Sequence, residues 1–212
     1  MKKKILVACL CVALAVLTIA GTTLAYLTSH DQVTNTFTVG NVQIKLDEAK
    51  ANTDGSLVPN ADRVKANSYK LIPGHTYNKD PMVTVLSGSE SSYIKMTVTF
   101  TKAAELDAIF APTGADLTSI FNGYDSTNWI YKGNTEDTTA NTRTYEFWYK
   151  ETVAAPTADV ELDALFDSIT VPGTLPGDQL KTLENMTITV NAYALQADSF
   201  ENAEAAWAAY KG

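Results

Sequence analysis

Apolar and polar residues alternate one by one over long stretches of this chain, and a side-chain period of two marks a half-buried β-strand. The clearest run covers residues 93–100, with Ile94, Met96, Val98 and Phe100 on one face and Tyr93, Lys95, Thr97 and Thr99 on the other. Residues 186–195 repeat it, setting Met186, Ile188, Val190, Ala192 and Ala194 against Thr187, Thr189 and Asn191. Residues 144–150 alternate Tyr145, Phe147 and Tyr149 with Glu146 and Trp148, and shorter candidates lie at 82–86, 129–132 and 168–171. Such alternation suits antiparallel sheets with one wet face rather than a parallel sheet buried on both sides. The expected fold is all-β: a jelly-roll-like antiparallel β-sandwich with a few short helices.

Ahead of these runs the pattern changes phase. Val33, Phe37 and Val39 are apolar at odd positions, whereas Val42, Ile44 and Leu46 follow at even ones. A period of two absorbs such a switch only through a bend or an unpaired residue. Gly40 is the natural place, because glycine tolerates the positive φ that a bulge often needs. Helices are expected at 102–110, 116–121 and 176–183. A further one at the C-terminus would open on a capping box of Asp198 and Glu201 and carry Phe200, Ala203, Trp207 and Tyr210 on one face. The stretches 52–65 and 133–141 are rich in Asn, Asp, Thr and Gly and read as exposed loops.

The N-terminus sets the compartment. Lys2, Lys3 and Lys4 precede an apolar run over residues 5–20, and Thr23 and Ala25 flank Leu24 as a small-x-small site. This is the form of a secretory signal peptide, cut between Ala25 and Tyr26. The apolar run is short for a membrane span of ~20 residues. Leu6-Val7-Ala8-Cys9 resembles a lipobox, but lipidation at Cys9 would strand the rest of the apolar run. The expected organisation is a signal peptide over 1–25 and one sandwich domain over 26–212, with a first strand within 26–46. Cleavage removes Cys9 and Cys11, so the mature fold rests on packing rather than disulfides. It also leaves 13 basic against 24 acidic side chains, a net charge of −11 that argues against nucleic acid and anionic membrane surfaces as partners.

Catalytic constellations are missing from the sequence. Only His30 and His75 occur, with no His-Glu-x-x-His helix, no cysteine in the mature chain, no Gly-x-Ser-x-Gly elbow and no phosphate-cradling glycine loop. The carboxylate pairs Asp47-Glu48 and Glu136-Asp137 read as solvated surface. Tyr93, Trp129, Tyr131, Tyr145, Trp148 and Tyr149 suit core and cross-strand packing, with a sugar- or peptide-binding platform as the alternative. The acids Asp54, Asp62, Asp178 and Glu184 lack the spacing of a calcium loop. Leu175-Pro176-Gly177-Asp178 departs from the sortase motif Leu-Pro-x-Thr-Gly. The residues therefore point away from an enzyme, with no catalytic residue, metal or cofactor expected.

The stretch Gly21-Thr22-Thr23-Leu24-Ala25-Tyr26-Leu27-Thr28, followed by Val33-Thr34-Asn35-Thr36-Phe37-Thr38-Val39-Gly40, resembles the start of SipW-dependent secreted proteins of the TasA/camelysin-like family of Gram-positive bacteria. The resemblance continues at Pro73-Gly74, at Lys79-Asp80-Pro81 and at Ala192-Tyr193-Ala194-Leu195-Gln196-Ala197-Asp198. It implies processing by a SipW-type signal peptidase and a jelly roll in the extracellular matrix or at the cell surface. It also implies biofilm-matrix fibres, formed by self-association or with related secreted subunits, that grow by donor-strand exchange. The donor strand would carry Val33, Phe37 and Val39; the alternative is that this strand pairs within its own domain. Some camelysin relatives are labelled metallopeptidases, but this chain lacks a recognisable zinc motif. A monomeric extracellular binding module or adhesin, for sugar or host protein, is the other reading.

Overall fold

The computed structural model describes residues 40–110 and 120–211. Among them nine strands form three antiparallel sheets, joined by three short helices. The four-stranded sheet has the order β5 (Trp129–Asp137), β6 (Thr142–Tyr149), β4 (Ser92–Thr101) and β9 (Ile188–Gln196). The three-stranded sheet runs β1 (Ile44–Asp47), β3 (Met82–Val85) and β7 (Val160–Glu161), and β2 (Thr76–Asn78) pairs with β8 (Ser168–Thr170).

Strand β4 is the centre of the fold, and its alternation is the reason. Ile94, Met96 and Val98 are fully buried and Phe100 nearly so, while the residues between them are half-buried. The core they enter is shared by all three sheets: Val83 and Val85 come from β3, Ile169 from β8, and Tyr145 and Phe147 from β6. Phe121 sits among Phe166, Tyr145, Phe100 and Phe147 at ring distances of 4.5 to 5.9 Å.

Several expectations are corrected. The stretch 133–141 is not a loop throughout, because β5 continues to Asp137. A register shift between Tyr131 and Gly133, where Gly133 has φ 125°, lets the polar half of β5 stay paired with β6. The turn itself is confined to 138–141, where Asp137 Oδ1 accepts from the backbone N–H of Thr139 and Ala140. The C-terminal helix α3 (Ala203–Ala209) is capped by Asn202, whose side chain accepts from Ala205 N, and not by Asp198. Asp47 and Glu48 are 4% and 5% exposed, so they are not solvated surface. The loop 52–65 carries its own pairings, Ala51 with Leu57 and Glu48 with Val64. Gly55 presses on β2 so closely that a Cβ would lie 2.5 Å from Thr76 O.

The other helices fall where the sequence places them. Helix α1 (Ala103–Phe110) follows β4, with Asn141 Oδ1 accepting from Ala104 N, and α2 (Gly177–Thr182) follows Pro176. Most of the expected turn at 116–121 lies outside the described residues.

Candidate functional site: an open seam between two sheet edges

The register shows which backbone groups of β9 are committed. Thr101 N donates to Thr187 O and Ala197 N to Ser91 O, so odd-numbered residues of β9 face β4. In an antiparallel ladder the intervening residues point their N–H and C=O the other way. Ile188, Val190, Ala192, Ala194 and Gln196 therefore present theirs to the outer edge, which no strand occupies among the described residues.

Strand β1 is arranged likewise. Leu86 N donates to Gln43 O, which turns the odd residues of β1 toward β3 and the even ones, Ile44 and Leu46, outward. The Leu46 carbonyl accepts from Lys65 Nζ. β1 and β9 approach one another without hydrogen bonding.

The side chains along both edges match this picture. Ile44 and Leu46 from β1, and Ile188, Val190, Ala192 and Ala194 from β9, pack against the core but are only partly buried. Their β4 partners Ile94, Met96 and Val98 are 0% exposed. The core is sealed on β4 and left half-covered at β9. The edge of β1 is partly taken, by Lys65 at the Leu46 carbonyl and by Val64 paired with Glu48. The edge of β9 beside the half-covered apolar strip offers what an added β-strand needs: main-chain groups for a ladder and pockets for alternate side chains. Ala192 and Ala194 give the strip its smallest side chains toward one end.

The residues expected to fill such a role are placed only in part. Ala25, Tyr26, Val33, Phe37 and Val39 lie outside the described residues. Gly40 is described, and a Cβ there would lie 3.1 Å from the Glu90 side chain. The acceptor edges were not singled out from sequence, although the even-numbered apolar positions of both strands were.

The aromatic residues serve packing. Trp129 is fully buried and donates Nε1–H to Asp163 O, and Tyr145 is 4% exposed. Trp148 lies 6.3 Å from Trp207 of α3. Lys95 Nζ sits 4.6 Å over the Trp207 ring and within 5.4 Å of the Tyr193 and Tyr210 centroids, holding α3 on the outer face of the four-stranded sheet. Elsewhere a cavity of about 970 Å³ opens among Tyr69, Leu106, Phe110, Leu180 and Met186. Its charged groups are largely committed: Arg143 pairs with Asp107 and Glu136, and Lys79 with Glu48.

Asp54, Asp62, Asp178 and Glu184 are exposed. Among the described residues no group of three or more His, Cys, Asp or Glu side chains is arranged to hold a metal ion. No described helix is long and apolar enough to cross a membrane. Comparison with family models, curated proteins and solved structures finds no match for this chain.

Proposed function

We propose that this chain is a secreted, non-enzymatic structural protein, a subunit of biofilm-matrix or cell-surface fibres assembled by donor-strand exchange. The observation that carries the reading is the seam between β1 and β9, where the outer edge of β9 is unpaired among the described residues beside a half-covered apolar strip. In this reading the two larger sheets stack as a jelly-roll-like sandwich with β1 and β9 as neighbouring edges. Residues 26–39 of one subunit enter the seam of the next, with Val33, Phe37 and Val39 facing the strip. Each subunit then carries one donor and one acceptor, a head-to-tail contact that propagates as a filament. Cleavage after Ala25 by a SipW-type signal peptidase frees the donor on export, so polymerisation follows processing. Co-assembly with related secreted subunits uses the same edges.

Burying each donor side chain contributes about 1.5–3 kcal/mol, and ordering each donor residue costs about 1–2 kcal/mol. Side chains alone do not outweigh the ordering of an entire strand, so the ladder to β9 has to share in the affinity. The test is a fluorescent peptide of residues 26–39 added to a chain lacking residues 26–36. Saturable binding that is lost with Phe37→Lys in the peptide supports the reading; no binding by the truncated, folded chain contradicts it.

A monomeric binding module is the second reading, and the cavity of about 970 Å³ is the observation that favours it. Pockets of this size bury small ligands. It predicts a monomer whose ligand binding survives loss of residues 26–36.

A further inference from the structure

We propose that Lys79 and Asn67 become joined by an intramolecular isopeptide bond, with Glu48 as the proton shuttle. The inference is independent of the fibre reading. It starts from an unusual trio: Glu48 directly after β1, Lys79 between β2 and β3, and Asn67 in the long connection from β1 to β2. Lys79 is 8% exposed and Glu48 5%. Lys79 Nζ donates to Glu48 Oε2 at 2.5 Å, and Asn67 Nδ2 donates to Glu48 Oε1 at 2.9 Å. The amine and the carboxamide thus sit on the two oxygens of one carboxylate.

The carboxamide is held in a single orientation. Nδ2 also donates to Ala49 O, and Oδ1 accepts from the backbone N–H of Ala51 at 2.9 Å. That N–H polarises the Asn67 carbonyl and lies where negative charge would develop on Oδ1 during attack at Cγ. Tyr69 and Tyr77 line the same cavity as Lys79 and Asn67, lowering the local polarity. Proton transfer along the hydrogen bond from Nζ to Glu48 yields a nucleophilic amine beside a carboxylic acid.

The step balances without a co-reactant. Nζ swings from the carboxylate to Asn67 Cγ, and the new C–N bond forms. Glu48 delivers its proton to Nδ2 and takes the next one from Nζ. The Cγ–Nδ2 bond breaks with its electron pair on nitrogen, and ammonia leaves and carries off a proton as ammonium. Ammonium-form lysine plus carboxamide become a secondary amide plus ammonium, with no change of oxidation state. The product ties the β1–β2 connection to the start of β3 in a chain whose described residues contain no cysteine.

Mass spectrometry of the purified, denatured chain tests this. The expected mass is one ammonia below that of the unmodified species, and proteolysis is expected to release a branched peptide joining the segments of Lys79 and Asn67. Lys79→Arg and the near-isosteric Glu48→Gln should each restore the full mass, with near-ultraviolet circular dichroism reporting whether they fold. Should neither variant fold, the wild-type branched peptide decides alone. A wild-type chain that keeps its full mass after prolonged incubation overturns the proposal and leaves a buried ion pair. An ammonia loss that persists in Lys79→Arg overturns it too, because it marks cyclisation of an asparagine on its own backbone.

Discussion

Arg63 binds two distant parts of the chain at once, the end of β1 and the approach to β3. Its Nε donates to Asp47 Oδ1 at 2.5 Å, Nη1 to Asp80 Oδ2 at 2.8 Å, and Nη2 to the Asp80 carbonyl. Burial pushes the Asp47 carboxyl up, but hydrogen bonds from Lys45 and Arg63 outweigh burial and hold it below the usual carboxylate range. A carboxyl depressed in this way contributes stability that is complete above its unfolded pKa of about 4 and is lost as pH falls through the lower folded value. Acid titration followed by circular dichroism should show that loss below roughly pH 4. Arg63→Met should move the acid midpoint upward and cost about 3 kcal/mol in urea unfolding at neutral pH, because it strips a buried carboxylate of a partner. An unchanged midpoint would show that Lys45 alone suffices. None of this cluster was legible in the sequence. Asp47 and Glu48 are adjacent acids in a polar stretch, and the cations that make their burial tolerable lie far along the chain, at Arg63 and Lys79. Lys79-Asp80-Pro81 was visible as a motif, but its role as the counterpart of that acid pair depends on the tertiary fold.

At the scale of elements, strands that alternate against the core were readable and those that do not were lost. β4, β6 and β9 follow their sequence pattern closely, since every second residue faces the shared core. The far half of β5 is Gly133, Asn134, Thr135, Glu136 and Asp137, which carries no apolar period and is held as a strand by its ladder to β6. β2 and β7 are three and two residues long, too short to show any period. The C-terminal helix was foreseen from its apolar face, and Trp207 and Ala206 do bury it. Only the cap was misplaced, because Asn202 offers the same side-chain chemistry as Asp198 a few residues nearer the helix. Asn202→Ala should cost about 1 kcal/mol. Trp207→Ala should cost roughly 3–5 kcal/mol and free Lys95, read as a lowered urea midpoint with an unchanged slope. At β9, Ala192→Pro removes an N–H that faces the outer edge and leaves the bonds to β4 in place. The expected result is a cooperatively folded chain that fails to polymerise. Polymers of normal yield from this variant would place the acceptor elsewhere.

For the whole molecule, the period of two was enough to announce antiparallel sheets around one core, and the described residues bear out that coarser statement. What it could not announce is which edges stay unpaired. Openness belongs to the arrangement of strands: the same Ile188, Val190, Ala192 and Ala194 would read identically in a central strand. The measurement that bears most directly on the central claim is negative-stain microscopy with size-exclusion chromatography on residues 26–212 beginning at a native Tyr26. A matched chain with extra N-terminal residues and one lacking residues 26–36 serve as controls. Filaments from the native start, with soluble folded monomer from both controls, are the expected result. Monodisperse monomer from the native start under all conditions tried, or filaments undiminished without residues 26–36, would contradict assembly through the seam.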